Sequence, residues 1–236
     1  AWSLSTPDRP VGISSMSFDE SGNIYWEADY AVNGKAAICS ASPSGVMRWI
    51  GHDGPVNDSL GWGDATGPLV GDGGQAGRVY ALGYDYADGA DPSNGFVVAY
   101  KKSDGGRVWK TQLPNSYFKG DGNRRDKIAP TLYNGKLYIV GRPYGTDPGP
   151  YNVMVYCLNS QTGAIEWSNE LTAAIGYNPL YGASAGQPAL VPNALGDGIH
   201  GLYFNLGGWD PDDARAEMYC VALNTNTGSA SLAWSD

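Results

Sequence analysis

Few side chains in this sequence have the type and spacing that covalent or acid–base catalysis requires. His52 and His200 are the only histidines. Neither lies near a Gly-x-Ser-x-Gly elbow or beside a cysteine, so no catalytic triad or dyad is indicated and no catalytic residue is assigned. Asp64, Asp126 and Asp210 fall near expected loop-to-strand junctions. Paired carboxylates hydrolyse glycosides when their separation in space is right, and sequence spacing does not give that separation.

Two segments resemble ligand loops in composition alone. Four carboxylates fall in WDPDDARAE at 209–217: Asp210, Asp212, Asp213 and Glu217. Ca²⁺ prefers such oxygen ligands, but the spacing is not that of the twelve-residue calcium loop, so we expect a solvated turn and no metal site. The Gly-rich VGDGGQAG at 70–77 is not followed by a helical pattern. It is therefore predicted to be a hairpin loop and not a phosphate cradle.

The cysteines give no sign of a disulfide framework or a zinc site. There are three, Cys39, Cys157 and Cys220, with no Cys-x-x-Cys pair and no partnering pair of histidines. A disulfide framework needs an even number of cysteines, and a structural zinc site needs four closely spaced ligands. We expect all three to be small buried apolar residues.

Composition excludes one class of partner and favours an all-β fold. The formal charge is −9, with 15 basic residues scattered among 24 acidic ones, whereas nucleic-acid binding requires clustered Lys and Arg. No run of about eighteen apolar residues is present to form a transmembrane segment. The 34 Gly, 15 Pro, 16 Tyr and 8 Trp are typical of many short strands joined by tight turns.

An eleven-residue pattern recurs along the chain. CLNSQTGAIEW at 157–167, CSASPSGVMRW at 39–49 and AYKKSDGGRVW at 99–109 share a small first residue, a Gly at the seventh position and a Trp at the eleventh. ALNTNTGSASLAW at 222–234 keeps Ala, Asn, Thr and Gly, but its Trp comes two residues later. An aliphatic-Tyr pair in a β-prone run precedes each copy, at Tyr25, Tyr80, Tyr138 and Tyr203.

Each repeat reads as four antiparallel strands, which is the content of a propeller blade. The blades are placed at about 12–51, 63–113, 127–171 and 185–235. The Gly provides a turn residue that can adopt positive φ, and the Trp falls on the outer strand. Because a single blade cannot bury both of its faces, neighbouring blades must stack, and a repeated Trp is suited to lie between them.

The pattern small-x-Asn/Asp-x-x-Thr-Gly-x-x-x-Trp resembles the tryptophan-docking motif of the PQQ-type, or quinoprotein alcohol dehydrogenase-like, β-propellers. The resemblance covers essentially the whole chain. It implies that Trp49, Trp109, Trp167 and Trp234 dock between adjacent blades and bond to the next motif's backbone. Because such blades serve enzymes and scaffolds alike, it specifies the fold more strongly than the function.

A fifth tryptophan extends the series. Trp2 precedes Trp49 by 47 residues, a spacing comparable to those between the later outer-strand tryptophans. Residues 1–5 are therefore interpreted as the outer strand of a preceding blade. Since rings of this family resemble seven- or eight-bladed ones, we expect the four blades to be part of a larger ring, which further blades or another chain would complete.

The long loops of such blades gather on one face of a propeller, where binding sites are commonly built. They run between blades at 51–62, 114–126 and 172–184, and within blades at 83–95, 142–151 and 207–216. Their candidate ligand-binding residues are aromatic platforms and polar anchors: Trp62, Tyr117, Tyr144, Tyr181, Trp209, Arg124, Arg125 and Asp210.

Three functional hypotheses follow. The preferred one is a non-catalytic, extracytoplasmic interaction or scaffold module that presents its loop face to a protein, peptide or glycan and needs no cofactor. The second is a fragment of a PQQ-dependent alcohol or sugar dehydrogenase, which the resemblance would associate with PQQ and Ca²⁺. The sequence lacks the adjacent cysteines of that enzyme class and a cytochrome-type Cys-x-x-Cys-His. The third is a carbohydrate-active propeller enzyme.

Overall fold

The computed structural model describes most of the β-structure of the chain. The described residues are 16–32, 35–51, 58–59, 68–72, 77–85, 95–114, 129–141, 154–171, 188–207 and 216–235. Within these ranges the regular structure is entirely β, in four antiparallel sheets. The predicted all-β fold of four propeller blades is confirmed.

Blades 1 and 2 comprise the first nine strands. Blade 1 has the order β1 (Ser17–Phe18), β2 (Ile24–Val32), β3 (Lys35–Ala41) and β4 (Met47–Gly51). In blade 2, β7 (Arg78–Asp85), β8 (Gly95–Lys101) and β9 (Arg107–Leu113) follow two short strands that both pair with β7. These are β5 (Asp58–Ser59) and β6 (Leu69–Val70). β5 lies within the segment 51–62, which the sequence presents as an inter-blade loop.

Blades 3 and 4 each have four strands in sequential order. Blade 3 contains β10 (Thr131–Tyr133), β11 (Lys136–Gly141), β12 (Met154–Asn159) and β13 (Ile165–Glu170). Blade 4 contains β14 (Ala189–Val191), β15 (Ile199–Gly207), β16 (Ala216–Asn224) and β17 (Ser229–Ser235). Pro68, Pro130 and Pro188 are buried just before β6, β10 and β14, at the start of a strand where proline disrupts no ladder.

The core lies between the blades. Tyr25, Ile38 and Trp49 of blade 1 form one apolar cluster with blade 2 residues that include Val79 and Phe96. A larger cluster joins blades 2, 3 and 4 in the same way. Alternate residues of a strand point to opposite faces of the sheet, so blades 2 and 3, which lie between two neighbours, are apolar on both sides. Stacking of blades therefore supplies the hydrophobic stabilisation that a single sheet could not.

Candidate functional site

The eight residues predicted to bind a ligand on the loop face lie outside the described residues. They are Trp62, Tyr117, Arg124, Arg125, Tyr144, Tyr181, Trp209 and Asp210. What the structure does place in detail is the set of contacts between consecutive blades, which we call the seams. The seams contain the described aromatic and charged groups that the repeat brings together.

Each blade carries the same row of residues across its last three strands. Tyr138 on β11 pairs with Cys157 on β12, which pairs with Trp167 on β13. The rows of the other blades are Tyr25–Ser40–Trp49, Tyr80–Ala99–Trp109 and Tyr203–Cys220–Trp234. The side of a blade that carries this row is called its indole face.

The small central residue of the row lets the two large rings meet above it. The Tyr and Trp ring centroids are 5.8 Å apart in blade 1, 5.9 Å in blade 2, 6.3 Å in blade 3 and 6.0 Å in blade 4, and every pair is tilted. These distances lie in the favourable range for aromatic pairs. A larger residue at Ser40, Ala99, Cys157 or Cys220 would occupy the space that the rings use.

In blades 1, 2 and 3 the indole of the row contacts a glycine of the following blade. A Cβ on Gly105 would lie 2.5 Å from Cε3 of Trp49, and one on Gly163 would lie 2.6 Å from Cδ2 of Trp109. Both glycines have positive φ, at 72° and 74°. Gly228, beneath Trp167, completes the series. Glycine is thus required by conformation and by close approach at the same position.

Indole nitrogens bond to backbone carbonyls in the first two seams. Trp49 Nε1 donates to the carbonyl of Lys102 at 2.9 Å, and Trp109 Nε1 donates to that of Ser160 at 3.2 Å. Those carbonyls precede Gly105 and Gly163 by three residues. The turn N–H groups of these glycines donate to Lys101 and Asn159 instead, so the indoles do not compete with the turns.

The residue two positions after the Trp adds a further seam contact. Thr111 Oγ1 donates to the carbonyl of Gly163 at 2.7 Å. In the next seam Asn169 Oδ1 accepts from the backbone N–H of Ala230 at 3.0 Å. At the same position in blade 1 is Gly51, whose Cβ, if present, would lie 2.7 Å from the carbonyl oxygen of Gly105. The outer strands of blades 1, 2 and 3 therefore contact the last hairpin of the next blade.

Two arginines reinforce the seams, and sequence analysis did not identify them. Arg48 Nη1 donates to Tyr25 Oη and Ser40 Oγ, both at 3.0 Å, and Nη2 donates to the Lys102 carbonyl at 3.2 Å. Arg78 Nη1 donates to the Ser160 carbonyl at 2.8 Å. Charge-assisted donors strengthen hydrogen bonds to carbonyls. The only sequence signal was an Arg immediately before Trp49.

Lys102 of blade 2 forms ion pairs across the first seam with carboxylates near the start of blade 1. Lys102 Nζ is 3.1 Å from Glu20 Oε2 and 3.8 Å from Asp19 Oδ2. The Asp19 carboxylate also accepts from Asn23 Nδ2, the Tyr25 hydroxyl and two backbone N–H groups. Burial raises the pKa of Asp19, but the hydrogen bonds from Asn23 and Tyr25 outweigh it and leave the pKa below its ordinary value. Asp19 thus organises the turn formed by residues 19–23 (DESGN).

The cysteines are buried and unpaired, as the sequence predicts. Burial, with a smaller contribution from the Glu27 charge, raises the pKa of Cys39 to about 12. Burial raises the pKa of Cys157 to about 11, and that of Cys220 also lies above its usual value. Since thiolates and not thiols are nucleophiles, none of the three is prepared for covalent chemistry.

His200 contacts a backbone turn of its own blade and an aromatic ring of blade 3. Its Nδ1 accepts from the Asn193 backbone N–H at 3.0 Å, and its ring meets Tyr133 of blade 3 edge-on, with centroids 5.2 Å apart. Asn193 has a positive φ of 54°, so the histidine supports a strained turn. His52 and the carboxylates Asp64, Asp126 and Asp210 lie outside the described residues.

The described residues do not fit a quinone site of the kind that the family resemblance would imply. The resemblance would place adjacent cysteines at that site, but Cys39, Cys157 and Cys220 are far apart in sequence and lie buried in different blades. No cluster of three or more His, Cys, Asp or Glu side chains suited to a metal ion occurs in the described ranges. No described helix is long and apolar enough to span a membrane.

Comparisons with known proteins agree with the blade architecture. No protein-family model and no curated protein matches the sequence. Among solved structures, the quinohemoprotein alcohol dehydrogenase of Comamonas testosteroni has a TM-score of 0.61 at 16% identity, over 100% of this chain and 36% of that one. A europium-containing methanol dehydrogenase gives 0.55 at 14% identity, over 94% of this chain and 41% of the other. The chain thus spans less than half the length of either, and the likeness establishes the fold alone.

Proposed function

We propose that this chain is a non-catalytic propeller scaffold whose loop face binds a protein, peptide or glycan outside the cytoplasm. The proposal rests on the contacts that the described polar side chains make with turns and neighbouring blades. Arg48, Arg78, Lys102 and Asp19 all make hydrogen bonds or ion pairs that fix turns and seams. These contacts are structural ties between and within the blades.

The tryptophans of the repeat act as docking residues in this proposal. The contacts of Trp49 and Trp109 with the following blade have the form that the tryptophan-docking motif implies. Binding sites are commonly built from loops carried by a rigid scaffold, and the stacked strands of the described blades form such a scaffold. The candidate contacts are the loop aromatics Trp62, Tyr117, Tyr144, Tyr181 and Trp209, with Arg124, Arg125 and Asp210 as polar anchors.

A binding screen tests this proposal. The purified chain is screened against glycan and peptide arrays, and hits are measured by calorimetry with the double variant Tyr144→Ala/Trp209→Ala. The matched control is Asn226→Ala, in the exposed turn between β16 and β17, because that turn lies at the opposite end of the blade from the loop face. We expect at least a tenfold loss of affinity in the double variant and none in the control.

Two outcomes would contradict the scaffold proposal. Quinone-dependent oxidation of an alcohol or sugar after addition of PQQ and Ca²⁺ would favour the dehydrogenase. Turnover of a glycan, detected by released reducing ends, would favour a carbohydrate-active enzyme. Binding that the double variant leaves unchanged would remove Tyr144 and Trp209 from the candidate site.

A further inference from the structure

The turn between β14 and β15 has a strained backbone. Asn193 and Asp197 have φ of 54° and 52°, and Asn134 is the only other non-glycine residue of the described chain with a positive φ. This left-handed conformation is unfavourable for residues with a Cβ, although Asn and Asp tolerate it better than most. Residues 192–198 are also exposed throughout, so little apolar burial holds the turn. Its conformation therefore depends on its hydrogen bonds.

Asn193 is the centre of those hydrogen bonds. Its side-chain Oδ1 accepts from the backbone N–H of Gly198 at 2.7 Å, and its carbonyl accepts from that of Gly196 at 3.2 Å. The backbone N–H of Asn193 donates to Nδ1 of His200 at 3.0 Å. His200 thus fixes the position of the residue that makes two further bonds within the turn.

The ring of His200 lies between this turn and blade 3. It is partly exposed, so it exchanges protons with solvent, and it meets Tyr133 edge-on with centroids 5.2 Å apart. Because Nδ1 accepts a hydrogen bond, the neutral ring carries its proton on Nε2. Histidine is the side chain that ordinarily changes charge between pH 5 and 8, and His200 is the only histidine within the described ranges.

The charged residues of the elements around His200 keep a constant charge over that interval. The turn contributes Asp197, and blade 3 contributes Lys136 on β11, which forms an ion pair with Glu166. β14 and the part of β16 opposite His200, residues 221–224, carry no charged side chain. Carboxylates and ammonium groups do not ordinarily change charge between pH 5 and 8. A response of the turn in this interval would therefore come from the imidazole.

Protonation of His200 removes the acceptor of the Asn193 bond. In the imidazolium both ring nitrogens are donors, so the Nδ1–H would face the backbone N–H of Asn193 and one of them must turn away. The bond is thus present while the ring is neutral and is lost as pH falls. Since Asn193 is held in a left-handed conformation, the exposed turn then has less strained conformations open to it in water.

We propose that His200 is a pH-sensitive conformational switch: residues 192–198 are fixed while its imidazole is neutral and are released when it is protonated. The released segment includes Leu195, which is 38% exposed in the fixed turn. The turn joins the first two strands of blade 4, at the end of the blade opposite the loop face. The switch is therefore independent of the ligand proposed for that face.

Measurement of ¹⁵N relaxation at about pH 8 and about pH 5.5 tests the proposal, since these values lie near the two ends of the ordinary histidine range. Amide order parameters report motion of the turn and not the charge of the nearby ring. The matched variant is His200→Asn, whose side-chain oxygen accepts the same bond in both buffers. The internal control is the turn at Asn134 and Gly135, which also has positive φ. Far-UV circular dichroism establishes that both proteins stay folded.

In the wild type, the order parameters of residues 194–197 are expected to fall from about 0.85 in the alkaline buffer to below about 0.6 in the acidic one. They should not fall in His200→Asn or in the control turn. An unchanged wild-type turn, or an equal loss in His200→Asn, would overturn the proposal. If the variant turn is mobile in both buffers, the wild type decides. Its loss of order must then follow the titration of the His200 ring signals, and a loss at any other pH would overturn the proposal.

Discussion

The indole of Trp109 lies on Gly163, and its Nε1 donates to the carbonyl of Ser160 at 3.2 Å. The same relationship joins Trp49 to Gly105 and Lys102. One outer-strand residue thus supplies apolar area, a hydrogen bond to the next blade and a close contact that only glycine accommodates. The repeat in the sequence reflects this contact, because the Trp and the turn Gly that it meets recur in successive copies.

Alanine at Gly163 is expected to destabilise the fold more than alanine at Gly135. Both glycines have positive φ, at 74° and 75°, but the Cβ at 163 would meet Trp109 whereas nothing lies within 4 Å of the one at 135. The left-handed conformation alone costs about 1–2 kcal/mol, and overpacking adds about 1–3 kcal/mol at 163. Urea denaturation measures both variants, and equal losses would contradict the close seam contact.

Trp49→Phe is expected to reduce stability more than Trp234→Phe. The first change removes the bond to the Lys102 carbonyl, which is worth about 1 kcal/mol net, together with buried ring area. The second alters a side chain that is 40% exposed, and surface changes are usually within about 0.5 kcal/mol. The free energies of unfolding should be compared by urea denaturation under the same conditions. A larger loss at 234 would refute this seam assignment.

Asp19 makes stability depend on acid pH. Its pKa in the folded chain lies below the 3.8 of an unperturbed aspartate, so its stabilising contribution is present above about 3.8 and is lost as pH falls through the lower, folded value. Asp19→Asn should lower stability at neutral pH and flatten the decline below pH 4. Asp197→Asn, in an exposed turn, is the control. Identical pH profiles of wild type and Asp19→Asn would contradict the prediction.

The cysteines should resist alkylation in the folded protein. All three are buried, and the pKa values of Cys39 and Cys157, about 12 and about 11, leave little thiolate at pH 8. Iodoacetamide labelling followed by mass spectrometry should show no modification in buffer and three modifications in urea. Rapid labelling of Cys157 in buffer would show that the row beneath Tyr138 and Trp167 is open.

The fold was accessible from sequence because its signals are local and repeated. Tyr25, Tyr80, Tyr138 and Tyr203 lie on β2, β7, β11 and β15, the strands that precede the repeat copies, as the aliphatic-Tyr pattern predicts. The positive-φ role of the turn glycines also follows from residue type, and the structure confirms it at Gly45, Gly105, Gly163 and Gly228. The blades could therefore be recognised from local sequence patterns, without knowledge of which distant residues are in contact.

The pairing register of the hairpins could not be predicted from the sequence, because turn length changes which residues face each other. Trp49 pairs with Ser40 and not with Cys39, the first residue of the repeat. Its turn is one residue shorter, with Gly45 N–H donating to Ser42. In blade 4, Trp234 pairs with Cys220, because β16 and β17 each extend two residues further before their turn. A two-residue extension preserves the side of the sheet, so the indole still meets Tyr203.

The polar contacts between blades could not be predicted from the sequence either. Arg48 and Lys102 are 54 residues apart, and Arg78 and Ser160 are 82 apart, so no local pattern links them. The outer-strand Trp marks where a seam lies but does not reveal which polar groups surround it. The exposure of Met218, at a strand position where Ile38, Val97 and Val155 of the other blades are buried, was likewise visible only in the structure.

Hydrogen exchange of the indole N–H groups is the most direct test of the seams. In protein labelled with ¹⁵N-tryptophan, the Nε1 signals of Trp49 and Trp109 are assigned with Trp→Phe variants and followed after transfer to deuterated water. If these groups donate to Lys102 and Ser160 across the seams, both signals should persist long after indoles of the urea-unfolded chain have exchanged. Exchange as fast as in the unfolded chain would contradict blades held together by tryptophan.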